Sequence, residues 1–217
     1  MKIEWIGHSC FKVESGGYSI ITDPYSEGSV PGLAPVKEEA NLILCSHEHG
    51  DHNARTCVTV KETPENAVCP FQITKIETYH DEVKGAKRGP NVIHILDDGE
   101  NKVAHFGDLG CELEPEQLEK LKGLDVALIP VGGFYTIDAV QAADLVRQIK
   151  PRIVVPMHYR SEADAFGFQV IGTVDTFTEC MRSVMTCFRS EIESIYEYDA
   201  QVIVLQPKNR IKSGMHV

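Results

Sequence analysis

His47-Glu48-His49-Gly50-Asp51-His52 places three imidazoles and an aspartate within six residues, and no other stretch leaves this chain so little freedom in what it can become. The run before it, Asn41-Leu42-Ile43-Leu44-Cys45, is apolar and branched and reads as a buried strand ending near Ser46. The cluster therefore sits on the loop leaving that strand. His47 and His49 are two positions apart, so in extended backbone both point one way while Glu48 points the other. Gly50 permits a sharp turn, after which Asp51 and His52 can be aimed at a second point close to the first. One loop can thus feed two metal ions.

Imidazole nitrogen and carboxylate oxygen suit zinc, and also iron or manganese, so the donors name a group of metals. The helical zinc-protease motif His-Glu-x-x-His is excluded, because it needs histidine where this chain has Asp51. A solvated polar turn is the bland alternative, and it leaves the density of histidine unexplained.

With 217 residues, 42% of them hydrophobic, the chain is long enough for one well-buried domain, expected to span 1–217. No apolar run approaches the roughly 20 residues that cross a bilayer, and Met1-Lys2-Ile3-Glu4-Trp5 enters strand pattern directly, without a signal peptide. Seven cysteines lie singly with no Cys-x-x-Cys, and Cys10, Cys45 and Cys187 stand among apolar residues, which favours buried reduced thiols. A cytoplasmic protein away from membranes is expected. The net charge of −11 argues against a general grip on nucleic acid. Lys84, Lys87 and Arg88 form the one small basic cluster near a candidate ligand, and a solvated loop is the simpler reading of it.

Residues 2–6, 10–14 and 18–22 alternate around Gly7 and Gly16-Gly17 as an antiparallel meander that ends at Asp23-Pro24. His8 lies in a Gly7-His8-Ser9 turn. Residues 26–40, rich in Gly, Pro and Ala, read as a loop over the cleft. Residues 55–60 and 67–70 read as short edge strands around a turn at 63–66, and 71–79 as a strand that delivers His80. Residues 91–96 and 102–106 form a hairpin ending in Gly107-Asp108, with His94 and His105 as strand histidines. A helix over 114–121, a buried strand over 125–131, the loop Gly132-Gly133-Phe134-Tyr135-Thr136 and a helix from Asp138 to Ile149 follow. That loop lacks the Gly-Lys-Ser/Thr of a phosphate loop. A strand over 151–157 delivers His158-Tyr159-Arg160, a helix is expected over 173–190, strand pieces over 192–205, and a polar tail over 207–217 that includes His216.

The His-x-His-x-Asp-His pattern after a buried strand resembles the signature of the metallo-β-lactamase superfamily, and the likeness extends through Asp23, His80, Gly107-Asp108 and Pro156-Met157-His158. It is nearest to the small metal-dependent hydrolases related to L-ascorbate-6-phosphate lactonases. The resemblance implies an α/β chain in a four-layer αββα sandwich, with the strand–helix alternation occurring twice. It implies two divalent metal ions, zinc first and manganese or iron next: His47, His49 and His80 on one, Asp51, His52 and His158 on the other, Asp108 bridging. Asp23 would buttress the histidine loop. His8, Tyr135 and Tyr159 are further candidates for contact with the site or substrate.

Such a centre implies hydrolysis of a small-molecule ester, lactone or phosphodiester by a metal-activated water, with Asp51 and Asp108 as the catalytic carboxylates. Three other readings fit the residues less well. A diiron protein of this fold would resemble His-x-Glu-x-Asp-His, and here His49 occupies the variable place. A nuclease would bring basic clamping elements. A non-catalytic metal or ligand sensor would have no need of open metal positions. The expected partner is a small-molecule substrate, and self-association stays open.

Overall fold

The computed structural model describes residues 1–62 and 68–211. The opening meander forms as its alternation predicts: β1 (Lys2–Gly7), β2 (Cys10–Ser15) and β3 (Tyr18–Thr22) are antiparallel. After β4 (Glu38–Ala40) comes β5 (Leu42–Leu44), which lies parallel to β3, and then β6 (Val58–Val60). The second half runs β7 (Gln72–Tyr79), β8 (Pro90–Asp97), β9 (Lys102–His105), α1 (Pro115–Lys120), β10 (Val126–Pro130), α2 (Ala139–Ile149), β11 (Ile153–Met157), α3 (Val174–Glu179), β12 (Val184–Thr186), β13 (Glu191–Ile192) and β14 (Val202–Val204).

Two mixed sheets result, ordered β13-β1-β2-β3-β5 and β12-β14-β11-β10-β9-β8-β7, with a small parallel β4-β6 pair. Every residue of β10 and β11 is buried, as parallel strands covered on both faces require. One apolar cluster joins the sheets. Trp5 from β1 packs 5.5 Å from Tyr159, just past β11, while Phe11 from β2 lies 6.0 Å from His105 at the end of β9. The α2 helix is amphipathic: Ala142, Ala143, Val146 and Ile149 are buried, and Asp138 caps its first turn by accepting from the Val140 and Gln141 amides.

Strand direction positions the site. β1, β3 and β5 share one direction in the first sheet, as do β7, β9, β10 and β11 in the second. His8, Asp23, the histidine loop, His80, Asp108, Tyr135 and His158 all follow the carboxyl ends of those strands.

Five expectations change. The helix over 173–190 stops at Glu179, because Val184–Thr186 instead pairs in parallel with β14 as an edge strand. Val184 and Thr186 are β-branched and weak helix formers, and the ladder outcompetes the helix there. Arg55–Cys57 is a single 3-10 turn, and Val58–Val60 pairs with β4, so the segment read as a structureless loop over 26–40 ends in a strand. Val68–Pro70 joins no ladder, and Ala67 and the turn proposed at 63–66 lie outside the described residues. Nor is 24–37 a free cover: Tyr25, Val30, Leu33 and Val36 are buried in the core, and the loop touches the histidine segment through Pro24 and Ser26. Residues 208–209 are no tail, since their amides bond the Trp5 and Ile6 carbonyls; His216 lies outside the described residues.

His94 faces His105 across the β8–β9 ladder, buried, with no partner for Nδ1. Burial, then the neighbouring His105, pushes its pKa down to about 4 from 6.5. A histidine held neutral on folding makes the unfolded chain bind more protons between those values. Stability should therefore fall as pH drops from 6.5 towards 4, by up to roughly 1.4 kcal/mol per pH unit from this group. His94→Leu should show a shallower loss than wild type when urea unfolding is measured from pH 7 to 5. Parallel slopes would refute this.

Candidate metal centre

The centre is built around buried carboxylates. Asp23, fully buried just after β3 at φ 42°, accepts the Ser46 amide at 2.7 Å on Oδ1. Its Oδ2 accepts the Ser46 hydroxyl at 2.6 Å and faces His52 Nδ1 at 2.8 Å. Burial favours the neutral acid, but His105 and His52 outweigh it and hold the Asp23 carboxyl at about 2. Hydrogen-bond accounting then fixes two tautomers. His52 donates its Nδ1–H to the Asp23 carboxylate and turns Nε2 inward. The Ser46 hydroxyl is committed to Asp23, so His47 Nδ1, 2.9 Å away, donates to its oxygen and His47 also turns Nε2 inward.

His80 leaves β7 with Nδ1 3.3 Å from the Tyr135 carbonyl and Nε2 towards the centre. Asp108 is the hub. Its Oδ2 lies 3.2 Å from His52 Nε2, 3.2 Å from His80 Nε2, 3.3 Å from His158 Nε2 and 3.8 Å from His47 Nε2. Its own amide donates to Asn91 Oδ1 at 2.9 Å, and Asn91 Nδ2 donates in turn to Thr78 Oγ1 and the Phe106 carbonyl. Gly107 is required beside it: φ is +56°, and a Cβ there would stand 2.4 Å from both Asn91 Oδ1 and Ser46 Cβ.

The expected ligands fall into two groups. His47, His49 and His80 bring donor atoms within 4.8 Å of one another, and so do Asp51, His52 and His158 together with His8. His8 Nε2 lies 3.4 Å from Asp51 Oδ2, with its ring 4.4 Å from that of His158. The left-handed φ values of His8 (54°) and His158 (53°) mark positions held by surrounding packing. Burial, then His158, pushes His8 down to about 4; burial, then His52, pushes His47 down to about 3. Burial would lower His52 too, but Asp108 and Asp23 raise it. For Asp108 burial acts upward, and His158 and His52 reverse it, so the carboxylate stays ionised.

A cation fits this donor set. Among the described residues His8 Nδ1 and Nε2, His47 Nε2, His52 Nε2, Asp108 Oδ1 and His158 Nδ1 are buried without a hydrogen-bond partner. Leaving so many polar atoms orphaned in one place is costly unless something coordinates them.

Tyr159 does not reach the centre. Adjacent residues at a strand end face opposite sides, and with His158 turned in, Tyr159 packs between Trp5 and Phe166. Tyr135 stands beside the centre through its carbonyl. His105 is a strut, its Nε2 2.7 Å from the Ser9 carbonyl and its Nδ1 accepting the Gly107 amide at 3.2 Å, so both nitrogens are used. Asn91 and Ser46 were missed by sequence reading. Asn91 serves backbone groups of the next strand end, and Ser46 is tied to the distant Asp23, so nothing local in the chain advertises either role.

With this geometry in view, comparison with known proteins is specific. The model of the β-lactamase superfamily domain matches residues 2–158. A UPF0173 protein of Pyrococcus furiosus is 33% identical over 78% of this chain and 89% of its own, and a UPF0173 metal-dependent hydrolase of Thermoplasma acidophilum is 29% identical over 82% and 93%. The crystal structure of a Thermotoga maritima protein of the metallo-β-lactamase superfamily superposes with a TM-score of 0.73 at 28% identity, over 94% of this chain and 97% of that one. The chain belongs to the metallo-β-lactamase superfamily and, within it, to the UPF0173 family.

Removing Asp23 would strip His52 and Ser46 of their common acceptor. Asp23→Ala should weaken zinc binding about 10–100-fold in a chelator competition, with far-UV circular dichroism retained. An unchanged affinity in the folded variant would remove Asp23 from the support of the site.

Proposed function

We propose that this protein is a metal-dependent hydrolase holding two divalent ions. His47, His49 and His80 would hold one, Asp51, His52 and His158 the other, and Asp108 would lie between them. The observation that carries this reading is the convergence of inward-facing imidazoles on Asp108. The Thermoplasma relative is called a metal-dependent hydrolase, and the Thermotoga protein is described as a candidate zinc-dependent one, which supports it. The nitrogen-rich donor set favours zinc, with manganese or iron next. Bound there, such ions would lower the pKa of water and polarise the bond under attack.

The chain's own residues set the rest. His47, His52, His80, Asp108 and His158 are buried, while His49 and Asp51 are partly exposed, so substrate approaches over that side. Asp51 remains ionised: His8 and His52 overcome the effect of burial and draw its pKa below the ordinary range. It serves better as an anionic anchor that orients His8 than as a proton acceptor. Asp108 is likewise fixed as an anion. The substrate class we favour is a small ester, lactone or phosphodiester, because a chain of net charge −11 lacks an extended basic track for a polynucleotide. Among the described residues no helix is long and apolar enough to cross a membrane, and we place the protein in the cytoplasm on its scattered, unpaired cysteines.

Elemental analysis of purified protein should find about two zinc or manganese ions per chain, falling sharply in Asp108→Ala and to about one in His80→Ala. Turnover on a lactone, phosphodiester and thioester panel should vanish on chelation and return with metal. A wild type that takes up no metal would sink both the site and the chemistry.

A further inference from the structure

Two cations stand over the ring of Tyr135 at the rim of the centre, Lys87 at 6.0 Å and Arg88 closer. The loop after His80 folds around Asp81, whose buried carboxylate accepts the amides of Val83 (3.0 Å), Gly85 (2.8 Å), Lys87 (2.9 Å) and Arg88 (2.7 Å). The Arg88 backbone is therefore locked to the residue next to His80. Its guanidinium lies 5.0 Å over the ring of Tyr135, the residue whose carbonyl meets His80 Nδ1. Neighbouring Lys87 is already paired with Glu82, whereas Arg88 has no carboxylate partner among the described residues.

The opposing wall is strained. Phe134 and Tyr135 are consecutive non-glycine residues in the left-handed region, at φ 58° and 71°. Their turn is pressed against the site, since a Cβ on Gly110 would lie 2.2 Å from the Tyr135 carbonyl. Phe134 is nonetheless 54% exposed, its ring 4.9 Å from that of Tyr135. Backbone strain of this kind persists where a ligand site gains from it. An unpaired planar cation braced on an aromatic ring, beside an exposed phenyl group, matches a ligand that carries an oxyanion and an apolar or planar body.

We propose that Arg88, with Phe134 and Tyr135, forms a recognition subsite selecting substrates with a negatively charged group attached to an apolar body. This rests on the hydrolase reading for the location of the reacting bond. The recognition itself does not need turnover. Arg88 holds the oxyanion, phosphate or carboxylate, and Phe134 covers the body. In a chain of net charge −11 an anion gains nothing from the general field, so the local cation decides.

The test is calorimetric titration of zinc-loaded protein with phenyl phosphate, benzoate and inorganic phosphate, for wild type, Arg88→Gln, Lys84→Gln and Phe134→Ala. Arg88→Gln should weaken phenyl phosphate about tenfold or more at unchanged zinc content. Lys84→Gln removes the same charge four residues earlier on the loop and should leave binding within about twofold of wild type. Phe134→Ala should weaken phenyl phosphate but not inorganic phosphate. Comparing phenyl phosphate with benzoate tells which oxyanion Arg88 prefers, and an Arg88 effect on either supports the subsite. Equal affinities in wild type and Arg88→Gln for both aromatic anions, or equal losses in Arg88→Gln and Lys84→Gln, would overturn it. Arg88-dependent binding by a protein that hydrolyses nothing would keep the subsite and discard the hydrolase, while turnover with no Arg88 dependence would do the reverse.

Discussion

The Asp23 carboxylate is the contact on which the centre depends. Buried at the end of β3, it takes three donors from a segment more than twenty residues later, binding the Ser46 amide and hydroxyl and His52 Nδ1. Those bonds do two things at once. They dock the histidine loop against the first sheet, and they decide which nitrogen of His52, and through Ser46 of His47, is left bare towards the interior. A charge this deeply buried persists only when hydrogen-bonded on all sides, so the support and the site are one network.

The second sheet brings an equivalent device. Asp108 is aimed by Asn91 and admitted by Gly107, and His105 ties that turn to the Ser9 carbonyl of the first sheet. The two halves of the donor set therefore come from different sheets, joined by a histidine that ligates nothing. Packing against Trp5, Phe11 and Tyr159 holds the sheets at the separation this requires. Buried imidazoles with bare nitrogens oppose folding, and the surrounding apolar core must offset them. Function here is placed at the expense of stability, at the carboxyl ends of seven strands.

Reading the chain alone went wrong where local pattern competes with a partner far away. Residues 180–188 carry enough apolar spacing for a helix, yet β14 offers an open ladder and takes Val184–Thr186 as a strand. Tyr159 stands beside His158 in sequence and on the opposite side in space. Arg88 is exposed, as a solvated loop residue would be, but neither Asp81's capture of its amide nor the ring of Tyr135 beneath it can be read from the residues around it.

What the sequence determined by itself was the chemistry of the centre: strands of period two that end in His, Asp and Gly, and a six-residue loop too rich in donors to be anything else. Period and residue type are local properties, so they survive without coordinates. Only the tertiary structure decided which nitrogens face inward, that His8 joins the group of Asp51, His52 and His158, and that His105 and Asn91 are struts. Those outcomes depend on hydrogen-bond partners supplied by other strands, and a partner's position is fixed only once both sheets have packed.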